Sequence, residues 1–120
     1  MPARQYRWKD LPQDRPMAAL ARRRILAERM MITELHLDAG CFVPTHAHEN
    51  EQIVIVTSGR MKFVVGAGED EREMTLTGGE VLVVPGDVPH GAEALEDSVL
   101  IDAFSPPSEK TGVDTVESAP

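Results

Sequence analysis

Two histidines one residue apart, His46 and His48, with Gln52 shortly after them and His90 further on, are the residues of this chain best suited to chemistry. Side chains one residue apart on an extended chain project to the same face, about 7 Å from each other. Two imidazoles so placed can hold one divalent ion between them. His90, which follows the turn Pro85-Gly86-Asp87-Val88-Pro89, supplies a third nitrogen. If Gln52 adds its carboxamide oxygen, the donor set is three nitrogens and one oxygen, all neutral. That set suits one divalent transition metal, whether nickel, zinc, iron, cobalt or manganese. Neutral ligands leave the charge of such an ion uncompensated, which sharpens its Lewis acidity toward an anion. The alternative for Gln52 is a hydrogen-bonding role beside the ion. His36 alternates with Glu34 and Asp38 and is assigned to an outer face, away from the site.

The elements that must position these groups read as strands. Runs of β type cover Met30 to Leu37, Glu51 to Thr57, Met61 to Val65, Glu73 to Leu76, Val81 to Val84 and Val99 to Phe104. Turn signals punctuate them at Ala39-Gly40, Ser58-Gly59, Gly66-Ala67-Gly68, Gly78-Gly79 and Pro85-Gly86-Asp87. Ala18 to Arg24 could form a short helix or an extended edge strand, and the company it keeps favours the strand. Short strands at this spacing without long helical periodicity predict an all-β sandwich or barrel. Residues 1–19, with three prolines, are expected to form an irregular arm and residues 20–105 the barrel. Residues 106–120 are expected to be a disordered acidic tail. Ile53-Val54-Ile55-Val56 and Val81-Leu82-Val83-Val84 are apolar on both faces, so the outward face needs a cover. A second copy of the chain is the simplest one, and a homodimer is expected.

With 120 residues there is room for one domain. The formal charge of −8 argues against a nucleic-acid surface, which needs a basic patch. Charge is uneven, since residues 1–29 carry eight Lys/Arg against three Asp/Glu, a net +5, leaving −13 on the remainder. The basic arm could fold against the acidic body, pair with a second copy, or be simply solvated. The lone Cys41 excludes an intrachain disulfide and fits a reducing compartment, and it lacks the basic neighbour that would activate a nucleophile. No signal-peptide pattern or apolar span of membrane length is present, so a cytoplasmic protein is expected.

Residues 40–59 resemble the first cupin motif, G-x5-H-x-H-x3-E-x6-G, with Gln52 in place of the glutamate. Residues 79–94 resemble the second, G-x5-P-x-G-x2-H-x3-N. Gly79, Pro85 and His90 match, while Asp87 replaces the second glycine and Ala94 the asparagine. The resemblance implies a single-domain cupin jelly-roll barrel with a central metal. His48-Glu49-Asn50-Glu51-Gln52, Val88-Pro89-His90-Gly91 and Val99-Leu100-Ile101-Asp102-Ala103-Phe104-Ser105-Pro106 are similar to the pectin-degradation (KdgF-type) cupins. That likeness implies linearisation of unsaturated monouronates from pectin or alginate. It also implies metal ligands at His46, His48, Gln52 and His90, with catalytic roles for Asp102 and Phe104. The arginine such proteins tend to carry soon after D-x-F-S-P is absent here, where Pro107, Ser108, Glu109 and Lys110 stand.

Alternation places Asp102 and Phe104 on one face of their strand. An inward aspartate among apolar side chains has a raised pKa suited to proton transfer, whereas an outward one would only solvate the strand end. Arg22, Arg23, Arg24 and Arg60 are the available cations for a substrate carboxylate, with Arg24 and Arg60 taken as candidates. Three functions remain open: ring opening of an unsaturated uronate, an iron-dependent dioxygenase on the same barrel, and a module that only senses a sugar or a metal.

Overall fold

The computed structural model describes residues 2–108. Ten strands follow a 3-10 turn at Trp8–Asp10: β1 (Asp14–Met17), β2 (Leu20–Leu26), β3 (Met31–Leu37), β4 (Phe42–His46), β5 (Glu51–Ser58), β6 (Arg60–Val65), β7 (Arg72–Thr77), β8 (Val81–Val84), β9 (His90–Ala94) and β10 (Ser98–Ser105). They form a six-stranded sheet, β1-β2-β3-β10-β5-β8, and a four-stranded sheet, β4-β9-β6-β7. The architecture is the all-β jelly roll expected, built as two facing sheets rather than one closed hydrogen-bonded ring.

Alternation decides what faces inward. In β3, Met31, Thr33, Leu35 and Leu37 are buried while His36 is exposed and bonds Glu34 at 2.8 Å. In β10, Ser98, Leu100, Asp102 and Phe104 are buried. Register aligns these residues into rows across the large sheet. Leu26, Met31, Phe104, Gln52 and Val84 form one row. The next holds Arg24, Thr33, Asp102, Val54 and Leu82, and a third holds Arg22, Leu35, Leu100 and Val56. The apolar core lies between the sheets around Leu20, Leu37, Val56, Met61 and Leu100.

Three parts of the sequence reading are corrected. The arm expected to be irregular over residues 1–19 contributes the 3-10 turn and β1. An edge strand tolerates Pro16 because its N–H side need not pair. β1 is held by Asp14, which accepts two hydrogen bonds from Arg22, from Nε at 3.0 Å and Nη2 at 2.7 Å. With β1 in place, the strand expected at the edge over Ala18 to Arg24 runs over Leu20–Leu26 and lies inside the sheet. Two strands beside the histidines, β4 and β9, carry too many proline, glycine and polar residues to show a β pattern. The tail expected to be disordered lies, from residue 109 on, outside the described residues. Among the described residues no helix is long and apolar enough to cross a membrane.

Candidate metal centre and active site

His46 reaches the interior because β4 is irregular. Val43 pairs with Ala92 of β9, but the next matched pair is His46 with His90, so the register shifts between them. Three steps along β4 therefore match two along β9, the signature of a β-bulge, which re-aims a side chain that simple alternation would turn outward. Pro44 sits within the bulge, where a missing N–H does no harm. Its carbonyl accepts the Nδ1–H of His46 at 2.9 Å. His48 is not on a strand, contrary to the extended pair expected, but in the connection from β4 to β5. Its Nδ1 bonds the Asn50 carbonyl at 3.1 Å, and its own carbonyl accepts the Asp87 N–H at 2.8 Å. Asn50 is buried, and its side-chain amide donates to the Pro106 carbonyl.

His90 opens β9 and bonds the Val88 carbonyl through Nδ1 at 2.9 Å. All three rings are thus fixed in the same tautomer, with Nδ1–H donated to a backbone carbonyl and the Nε2 lone pair free to bind. The three Nε2 atoms are buried and have no partner among the described residues. The ligand nitrogens lie within 4.8 Å of one another, and the ring centroids are 4.3, 5.0 and 5.8 Å apart. Burial, the largest cause, lowers the pKa of His46 and takes that of His90 to about 4. Neutral imidazole is the ligand form.

Gln52, on the inward row of β5, is buried with Oε1 unpartnered and lines the same cavity as Asp102. Three buried imidazole nitrogens without protein partners, all within 4.8 Å of one another, fit a metal of the type expected from the sequence. Among the described residues they are the groups able to hold it.

Asp102 is inward and 4% exposed, and burial pushes its pKa up to about 7 against the opposing effect of the Gln52 side chain. Phe104 is also inward and stacks edge-on to His48 with centroids 5.7 Å apart. Both line the cavity that reaches His46, Gln52 and His90, a space of about 50 Å3, room for a few waters at ~10–15 Å3 each.

Neither of the two candidate arginines, Arg24 or Arg60, lines this cavity. Arg60 begins β6 on its outward parity, half exposed, with Glu96 3.9 Å away. Arg24 shares the row of Thr33 and Asp102. Arg22 is the arginine that lines the cavity, 4% exposed and gripped by Asp14. Thr33, a second cavity residue, was not anticipated. Its signal was available, as the one polar side chain on the inward parity of β3.

Two facing antiparallel sheets with three histidines converging from a bulged strand, a loop and a neighbouring strand define a cupin positioned to bind a metal. The chain matches the cupin domain family over residues 33–103 and belongs to it. It is 33% identical over 82 residues to the pectin degradation protein KdgF of Dickeya dadantii (strain 3937), covering 67% of this chain and 71% of that protein. The solved structure of KdgF from Halomonas sp. is 26% identical with a TM-score of 0.79, over 91% of this chain and 98% of that one. An RmlC-like cupin from Shewanella frigidimarina NCIMB 400 is 28% identical with a TM-score of 0.77, over 85% and 89% of the two chains.

Proposed function

We propose that the protein is a metal-dependent cupin that opens the ring of a small unsaturated uronate from pectin or alginate breakdown. The observation that carries this reading is the buried carboxyl of Asp102, its pKa raised by burial to about 7, in the cavity that His46, Gln52 and His90 also line. The similarity to KdgF proteins supports the substrate class. When bound, a divalent ion at His46, His48, His90 and Gln52 supplies Lewis acidity toward the substrate's carboxylate and ring-side oxygen.

The chain's own residues account for the rest. Opening the ring breaks the bond between the anomeric carbon and the ring oxygen, and leaves an aldehyde and an enol. Ketonisation then needs a proton delivered to the alkene carbon and one removed from the enol oxygen. A carboxyl poised near neutrality can give the first and take the second. Phe104 walls this part of the cavity and limits water. Gln52, whose buried Oε1 has no protein partner, would present that oxygen to the ion. A module that only binds has no need of a buried acid so poised.

The test is ultraviolet decay of a 4,5-unsaturated monouronate. Metal-loaded wild-type protein should consume it without oxygen uptake, which a dioxygenase would show. Asp102→Asn should keep its metal and lose roughly 100-fold or more in kcat. Full activity in that variant would discard the acid role.

We further propose that the active form is a homodimer. Ile53, Val81 and Val83 leave 38%, 56% and 56% of their surfaces exposed on the outward face of β5 and the edge strand β8. The same apolar stripe on a second copy is its natural complement.

A further inference from the structure

Thr33 stands opposite Asp102 in the pairing of β3 with β10. Directly opposed residues on one face of an antiparallel pair have Cβ atoms about 5 Å apart. Both side chains line the cavity and are almost fully buried, at 3% and 4% exposure. Yet Thr33 Oγ1 and Asp102 Oδ1 each lack a hydrogen-bond partner among the described residues. The inward neighbours of Thr33 on its strand are Met31 and Leu35. A valine there would have the same shape without a hydroxyl to satisfy, so the hydroxyl is a cost to the fold unless a ligand bonds it.

We propose that Thr33 Oγ1 and Asp102 Oδ1 form a hydroxyl-recognition subsite, which holds a hydroxyl of a small sugar acid whose other end lies at the histidines. This rests on the reading of the cavity as a sugar-acid site and adds the group that reads the hydroxyl. Asp102 is two residues from Phe104, whose row contains Gln52, so the subsite lies about 7 Å along the strand from the metal-ligand row. A six-carbon acid spans that distance. The threonine hydroxyl both donates and accepts, so it can bond a ligand hydroxyl whichever way its proton points. An analogue without that hydroxyl leaves the buried oxygens unpaired and binds less well.

The experiment compares Thr33→Val and Thr33→Ser with wild type, all metal-loaded. It reads metal content, thermal midpoint, calorimetric affinity for galacturonate as a stable probe, and turnover of the unsaturated uronate. Thr33→Val should keep its metal, melt roughly 4 °C higher and bind galacturonate roughly tenfold more weakly. Thr33→Ser should bind within about threefold of wild type. The proposal is overturned if Thr33→Val binds like wild type, if it melts lower, if Thr33→Ser binds as weakly as Thr33→Val, or if wild type does not bind the probe. Absence of uronate turnover by wild type, with galacturonate binding still dependent on Thr33, would sink the proposed reaction and leave the subsite standing. Normal turnover with binding indifferent to Thr33 would do the reverse.

Discussion

His46, His48 and His90 owe their readiness for a metal less to their own chemistry than to the three carbonyls, of Pro44, Asn50 and Val88, that take their Nδ1 protons. In the proposed site Gln52 would add a neutral fourth ligand. Gln52→Glu should therefore raise metal affinity, by roughly tenfold, and raise KM for an anionic uronate. Metal titration and steady-state kinetics check the two arms. Asp87 tells a complementary story about backbone. It fills a motif position where a glycine is expected, and it takes the left-handed conformation that glycine favours, with φ at 66°. Its N–H holds the His48 carbonyl. Asp87→Gly should relieve that strain and stabilise the protein by about 0.5–1 kcal/mol, read as a shift in denaturation midpoint at unchanged metal content. The three clustered histidines were legible in the sequence because spacing and type coincide in the two motifs. Thr33 was not singled out, and Arg22 was one of four available cations without being chosen, because each is an ordinary residue until register shows which cavity its row faces.

Between residue and fold, the elements that aim the site were the hardest to read. β4 contains Pro44 and a bulge, and β9 begins at a histidine after a proline turn and continues through Gly91. Neither alternates cleanly, which is the same irregularity that turns His46 inward. β1 was hidden by Pro16 and by its dependence on a partner outside the strand, the Asp14–Arg22 ion pair. The guanidinium holds the Asp14 carboxyl below its usual value of 3.8. Because the folded pKa is depressed, the stability contributed by this pair is present above pH 3.8 and is lost as pH falls through the lower folded value. Half of the Asp14 side chain is exposed, so the screened contribution is about 1 kcal/mol. Asp14→Asn should lower the thermal midpoint by a few degrees at pH 7, and the gap from wild type should close in strong acid. Differential scanning calorimetry across pH measures both.

At the scale of the whole molecule, the fold class was plain from strand spacing and turn signals, while the closure of the barrel was not, since hydrogen-bond continuity between sheets leaves no trace in residue type. Assembly is the other property that belongs to this scale. The large sheet has one face toward the cavity and one toward solvent, and its outward side at Ile53, Val81 and Val83 is apolar. Val83→Lys places a charge in that stripe, where a partner's matching stripe would bury it. Sedimentation should show a dimer for wild type and a monomer for Val83→Lys, and a wild-type monomer at all concentrations would remove the dimer from the account. The three histidines and the buried acid are all supplied by one chain.

The most direct measurement is a titration of chelator-stripped protein with a divalent transition metal, followed by the ultraviolet absorbance of an unsaturated monouronate. The account predicts no decay without metal and a rate that rises in proportion to added ion, with a plateau near one equivalent per chain. Decay at full speed in stripped protein, or none at any loading with every candidate ion, would contradict it.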